Sequence, residues 1–91
     1  MINTRENAER LVSYCRYAPK GIRSFGPSRA VIYAGEDYTQ HADETILTFA
    51  MIEIHKALDN LDDIVTVEGL DAVFVGPSDF GSFFRICSWE L

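Results

Sequence analysis

Cysteine is scarce in this sequence of 91 residues, which contains only Cys15 and Cys87. The two lie far apart, and neither belongs to a closely spaced pair of the kind that binds metals. This excludes a small domain held together by several disulfides, and it excludes a structural zinc site. We expect both thiols to be reduced and the protein to be cytoplasmic.

Basic residues are also few, with 8 Lys and Arg against 14 Asp and Glu, which gives a net charge of −6. So acidic a chain is poorly suited to nucleic acids or to anionic membrane surfaces. No apolar run is long enough to span a bilayer, and the first residues lack the pattern of a secretory signal. We therefore expect no nucleic-acid partner and no membrane association.

Several motifs with well-defined chemistry are absent as well. The sequence has no Gly-x-Ser-x-Gly, no glycine-rich phosphate loop and no coiled-coil heptads. Hydrophobic residues make up 47% of the chain, which indicates a globular rather than a disordered protein. A length of 91 residues allows at most one small domain.

The most informative stretch runs from Ile46 to Asp79 and has the pattern of a strand, a helix and a strand. The first predicted strand, 46–52, is apolar on both faces apart from Thr48, which is typical of a parallel strand covered on both sides. Apolar residues at helical spacing follow over 55–65, and 72–75 is a second apolar run. The pattern predicts a βαβ unit, which crosses over right-handed.

An acidic residue stands at the outgoing end of each predicted strand: Glu53 after the first and Asp79 after the second. Parallel strands end at the same edge of a sheet, where α/β folds collect their ligands. Two neighbouring carboxylates repel each other unless a cation or a proton offsets the charge, so one interpretation is a divalent metal site. The alternative is a pair of acids that cap helix N-termini.

Two further helices are predicted before this unit. One covers 5–17 with Thr4 as its N-cap, and a shorter one covers 37–43 with Asp37 near its start. Residues 1–2 are apolar, and we expect them to form the last part of a strand.

The segment 21–30 contains two glycines, two arginines, two serines and a proline. Such a loop can bind a carboxylate or a phosphate through its N–H and guanidinium groups. The alternative is an ordinary connection between helices whose arginines are solvated. His41 and His55 are interpreted as surface or packing residues.

Two parallel strands cannot bury both faces of their sheet, and they leave unpaired edges. The apolar tail from Phe80 to Leu91 also requires burial. We therefore expect this chain to be incomplete, either completed by partners or part of a longer protein.

Four ordered motifs resemble those of a known family. They are Gly21-Ile22-Arg23-Ser24-Phe25-Gly26-Pro27 with Arg29-Ala30, Ala50-Met51-Ile52-Glu53, Ala57-Leu58-Asp59-Asn60-Leu61 and Gly76-Pro77-Ser78-Asp79. Together they resemble the HpcH/HpaI aldolase/citrate lyase family over residues 1–80, a partial domain from the middle of that fold, with 81–91 as an unmatched apolar tail. Some family members have glutamine in place of Met51, which bears on the substrate more than on the metal.

The resemblance implies an α/β fold that is a fragment of a TIM (β/α)₈ barrel of the phosphoenolpyruvate/pyruvate-binding type, with parallel strands and crossover helices. It implies a carbon–carbon lyase, a class II aldolase, that acts on a small 2-oxo acid such as pyruvate. A divalent metal, Mg²⁺ or Mn²⁺, would stabilise the enolate formed when the bond breaks.

By the same resemblance, Glu53 and Asp79 match the family's metal ligands, and the backbone N–H groups of Ser78 and Asp79 match those that hold the pyruvate carboxylate. The loop with Gly26 and Arg29 would lie beside the substrate. The family's histidine base and substrate-clamping arginine lie upstream of these residues, so no catalytic residue is identified and the isolated chain is expected to be inactive. The alternative is a non-catalytic fragment that forms a homo-oligomer, associates through its sheet edges or docks with a fuller barrel.

Overall fold

A computed structural model of the chain describes residues 1–76, so Ser78, Asp79 and the apolar tail lie outside the described residues. Five helices and two strands follow one another in this range. They are α1 (Arg5–Cys15), α2 (Ser28–Ala34), α3 (Tyr38–Thr45), β1 (Phe49–Ile52), α4 (His55–Asp59), α5 (Leu61–Val65) and β2 (Ala72–Val75).

Strands β1 and β2 pair in parallel, from Phe49 opposite Ala72 to Ile52 opposite Val75. The predicted parallel α/β arrangement is therefore confirmed, and β2 has its predicted bounds. The first strand is shorter than the predicted 46–52, because the Ile46 N–H still bonds to the Ala42 carbonyl at 2.9 Å and closes α3.

Helix α1 begins as predicted, because the Thr4 hydroxyl accepts the Asn7 N–H at 3.1 Å. It ends at Cys15 rather than at the predicted residue 17. Arg16 already has an extended backbone, with φ −118° and ψ 142°. That turn directs the Arg16 side chain away from the helix and toward the start of the sheet.

The predicted helix over 55–65 is wrong as a single element, since α4 and α5 are separated at Asn60. The Asn60 backbone leaves the helical region, with φ −100° and ψ 9°, and its side-chain amide donates to the Asn3 carbonyl at 2.9 Å. Asparagine competes with helical bonding in this way, so it favours helix ends over helix interiors.

The prediction of a loop over 21–30 is wrong for its last residues, because α2 begins at Ser28. Pro27 precedes the helix and lacks an N–H that the first turn would leave unpaired. Gly35 follows the helix with φ +99° and donates its N–H to the Val31 carbonyl at 2.9 Å, a glycine stop. Helix α3 begins one residue later than the predicted 37–43 and ends two residues later, at Thr45.

The helices cover only one face of the strand pair. A core forms there from five buried side chains: Ala8, Ile52, Ala57, Ile64 and Val67. On the other face Phe49, Met51 and Phe74 are 54%, 40% and 53% exposed. The apolar pattern of β1 predicts a strand covered on both faces. Within residues 1–76, only one face is covered.

Residues 1–2 do not form the predicted strand, since a pair of residues makes too few bonds. The Ile2 N–H nevertheless donates to the Met51 carbonyl at 3.1 Å and so lies along the free edge of β1. Within the described part of the chain, no helix has both the length and the apolar character needed to cross a membrane.

Candidate metal site

Glu53 follows the last residue of β1, and the sheet places it beside Gly76. The Gly76 N–H donates to the Ile52 carbonyl at 3.0 Å, which extends the parallel ladder one residue beyond β2. A Cβ atom added to Gly76 would lie 2.7 Å from both Cγ and Oε1 of Glu53. The Glu53 side chain therefore lies across Gly76, in space that any other residue at position 76 would fill.

The Glu53 carboxylate is half-buried and makes no hydrogen bond or ion pair with residues 1–76. It is an anionic oxygen donor at the carboxyl end of two parallel strands, where α/β proteins bind ligands. Helix α4 begins only at His55, and its N-cap position is occupied by Ile54, so Glu53 does not cap that helix. The helix-cap interpretation is therefore wrong for Glu53.

One carboxylate alone is not a metal site. Residues 1–76 contain no group of three or more His, Cys, Asp or Glu side chains arranged to hold an ion. The second expected ligand, Asp79, and the N–H groups of Ser78 and Asp79 lie outside the described residues. They follow Gly76 directly in the sequence, as Gly76-Pro77-Ser78-Asp79.

Both histidines pair with an acid one turn away along their own helices. His55 Nδ1 lies 3.0 Å from Asp59 Oδ2, and His41 Nε2 lies 3.6 Å from Asp37 Oδ2, with all four side chains exposed. The interpretation of the histidines as surface residues is confirmed.

The arginines of the 21–30 loop differ in their surroundings. The Arg23 guanidinium lies 4.6 Å from the centre of the Tyr17 ring and donates to the Tyr38 hydroxyl at 2.9 Å. That hydrogen bond raises the pKa of Arg23 above its ordinary value. Arg23 therefore holds the loop against Tyr17, just beyond α1, and against α3, whereas Arg29 and Gly26 are exposed and remain substrate contacts by prediction alone.

A second polar cluster, which sequence reasoning missed, lies at the opposite end of the strands. The buried Arg16 guanidinium donates to the Thr48 hydroxyl at 2.9 Å and to the Gly69 carbonyl at 3.3 Å, and it lies 3.6 Å from Asp71 Oδ2. The sequence carried no clear signal for this cluster, because Arg16 lies just beyond the end of α1 with an extended backbone, and helical spacing does not predict where its side chain goes.

An open cleft of about 560 Å³ adjoins this cluster. Its lining residues are Val12, Arg16, Lys20, Asp43, Glu68 and Gly69. Neither Glu53 nor Gly76 belongs to it. This cleft is thus at the amino end of the strands, whereas the Glu53 carboxylate, without a partner in residues 1–76, is at the carboxyl end.

Comparison with known proteins agrees with the motifs. The model of the HpcH/HpaI aldolase/citrate lyase family matches residues 1–85. The chain is 48% identical over 79 residues to a hydroxypyruvate/pyruvate aldolase of Rhizorhabdus wittichii, covering 87% of this chain and 32% of that protein. It is 40% identical over 85 residues to a 2-keto-3-deoxy-L-rhamnonate aldolase of Escherichia coli, covering 90% and 32%.

A solved structure gives the same result for the fold. It is an HpcH/HpaI aldolase/citrate lyase family protein from Burkholderia cenocepacia J2315, with a TM-score of 0.80 and 27% identity over 92% of this chain and 35% of that one. The chain therefore spans about a third of the length of the relatives it matches. Since the family model matches 85 of the 91 residues, this chain belongs to the HpcH/HpaI aldolase/citrate lyase family.

Proposed function

We propose that this chain is the metal-binding segment of a (β/α)₈ barrel lyase that breaks or forms a carbon–carbon bond next to the carbonyl of a 2-oxo acid such as pyruvate. One observation carries the proposal: the Glu53 carboxylate lies across Gly76, where the Gly-Pro-Ser-Asp sequence begins, and it has no hydrogen-bond or ion-pair partner within residues 1–76. The aldolase names of the relatives support the reaction class.

The residues present fit a hard divalent metal, Mg²⁺ or Mn²⁺. Such ions prefer carboxylate oxygens and keep several positions for water and substrate. Glu53 supplies one anionic oxygen ligand, and Asp79 is the proposed second. Gly76 contributes by having no side chain, because a Cβ there would displace the Glu53 carboxylate.

The metal, when bound, supplies a Lewis acid that lowers the energy of the negative charge developing on the substrate carbonyl. The chain's own groups bind and orient the substrate. The N–H groups of Ser78 and Asp79 would donate to its carboxylate, and the exposed Arg29 beside Gly26 would add a charged donor. Among these 91 residues we assign no general base, so the proton transfers belong to other residues of the full barrel.

A second candidate function is non-catalytic association with another copy of this chain. The exposed face formed by Phe49, Met51 and Phe74 favours it, because parallel sheets occur almost only with both faces covered. A second copy would cover the same three side chains and be covered by them. The two functions differ in what they require of Glu53, which is essential to the first and irrelevant to the second.

The test is a titration of the 91-residue chain with Mn²⁺. Binding is measured by calorimetry and by the electron paramagnetic resonance signal of the free ion. Loss of a residue that only hydrogen-bonds to a metal ligand already weakens metal binding about 10–100-fold. We therefore expect Mn²⁺ affinity to fall at least that much in E53Q and in D79N. The matched control is E44Q, which makes the same change at an exposed glutamate of α3. Binding by E53Q that equals the binding of the unaltered chain would refute the metal assignment.

A further inference from the structure

We infer that Arg16 is a positioning residue for the candidate metal site. Together with Asp71 it determines the register of β1 against β2, and through that register it keeps Glu53 beside Gly76. The role in metal binding rests on the proposed function, whereas the role in register does not.

Arg16 connects three segments at the amino end of the sheet. Its side chain is only 9% exposed, and its two terminal nitrogens bond to the Thr48 hydroxyl before β1 and to the Gly69 carbonyl before β2. A planar guanidinium presents such donors in a rigid fork, which a lysine cannot reproduce. The Arg16 side chain therefore links the two segments that enter the strands.

Asp71 completes the link from the other strand. Its carboxylate accepts the Thr48 N–H at 2.7 Å and lies 3.6 Å from the Arg16 guanidinium. Its own N–H donates to the Thr48 carbonyl at 3.0 Å. Thr48 and Asp71 are thus bonded to each other through side chain and backbone, one residue before the first pair of the ladder.

The apolar pattern cannot set this register by itself. Register is well specified only where one face of a strand differs from the other. The strands read Phe-Ala-Met-Ile and Ala-Val-Phe-Val, and every position is apolar. A slip of one residue would still place apolar side chains on the covered face, so hydrophobicity alone does not distinguish the two registers, whereas a polar link outside the strands does.

The consequence appears at the other end of the ladder. The observed register, extended by one pair, places Thr48 opposite Asp71 and Glu53 opposite Gly76. In a register shifted by one residue, Glu53 would be paired with position 75 or position 77, and the sequence has no glycine at either. Only the observed register gives the carboxylate the space over Gly76.

The test compares R16M with R10M, which removes an exposed arginine from α1, the helix that precedes Arg16. Cross-strand nuclear Overhauser effects between β1 and β2 report the register directly. In R16M we expect the contacts of Phe49 with Ala72 to be weakened or replaced by those of a shifted pairing, and Mn²⁺ to bind about 10-fold more weakly. In an E53Q background the same substitution should have no further effect on Mn²⁺ affinity, because Arg16 acts through Glu53.

Unchanged cross-strand contacts in R16M would overturn the inference. R16K, which keeps the charge but not the fork, is the second variant and should show an intermediate loss of register. If both variants lose their helical circular dichroism signal, Arg16 supports the whole fold and the inference also fails. If the unaltered chain binds no Mn²⁺, the proposed function fails, and the register measurement still decides the role of Arg16.

Discussion

The two ends of the strand pair use their charged side chains differently. At the amino end, hydrogen bonds and an ion pair connect Arg16, Thr48 and Asp71, and these contacts hold together the segments that lead into β1 and β2. At the carboxyl end Glu53 has no partner among residues 1–76 and lies over a glycine. A half-buried carboxylate is stable without a protein partner only if solvent or a cation replaces one, which is why we propose the carboxyl end as the ligand-binding end.

The difference agrees with the general behaviour of parallel α/β folds. Residues at the carboxyl ends of barrel strands perform the chemistry, and those at the amino ends contribute stability. For this reason we do not place the proposed site in the cleft beside Arg16, despite its volume. We base the proposed site on the Glu53 carboxylate instead, which has no protein partner within residues 1–76.

The largest effect is expected in catalysis. The carboxyl end of this chain has its proposed metal ligands but no assigned general base or substrate clamp, and a positioned base alone contributes about 10²–10⁴-fold. We expect the 91-residue chain to release no pyruvate from a 4-hydroxy-2-oxo acid above background. The positive control is the full-length aldolase of Rhizorhabdus wittichii, assayed in parallel. Measurable metal-dependent turnover by the chain would show that it contains a base we have not assigned.

The exposed face of the sheet should cause association. Removing two half-exposed phenylalanines with F49S/F74S should weaken it about 100-fold, since each large apolar side chain contributes on the order of 1.5–3 kcal/mol when buried. Sedimentation velocity at several concentrations measures the change. The matched control is I32S/Y33S, which removes two exposed apolar side chains from α2 instead. A chain that stays monomeric without any substitution would contradict this prediction.

At the carboxyl end, G76A should displace Glu53, because the added methyl group would lie 2.7 Å from its carboxylate oxygen. We expect Mn²⁺ affinity to fall about 10–100-fold, as when a ligand loses its orientation. G26A is the control, since a Cβ there has nothing within 4 Å. Equal affinities for G76A and G26A would show that the space over Gly76 does not matter to binding.

At the amino end, T48V removes the hydroxyl that accepts from Arg16 while it keeps the side-chain volume. An unpaired buried donor should reduce the free energy of unfolding by about 1–2 kcal/mol, as measured with urea. T45V is the control, because that hydroxyl is exposed and donates only within its own helix. A loss of the same size in both variants would mean that the Arg16 bond contributes little.

Much of the fold followed from the sequence, where periodicity was unambiguous. The change from helical spacing to an apolar run predicted β2 at its observed bounds, and the Thr4 cap predicted the start of α1. The errors occurred where a single polar side chain overrode the period. Asn60 divides one predicted helix into two, and Arg16 leaves α1 two residues early to reach the sheet.

The surroundings of the proposed site were predicted only in part, for a similar reason. Glu53 was recognisable as the first charge after an apolar strand. Gly76 was named only as part of a motif, because its role depends on a side chain 23 positions earlier that lies across it. The Arg16 cluster joins residues from three separate segments, and a linear pattern does not show which of them meet.

The most direct test of the proposed site is a crystal structure of the 91-residue chain grown with Mn²⁺, with the ion located by its anomalous scattering. The account predicts one strong peak at the carboxyl end of β1 and β2, with oxygens of Glu53 and Asp79 both within about 2.0–2.3 Å. A peak in the cleft beside Arg16, or carboxylates of Glu53 and Asp79 that point to opposite faces of the sheet, would contradict it.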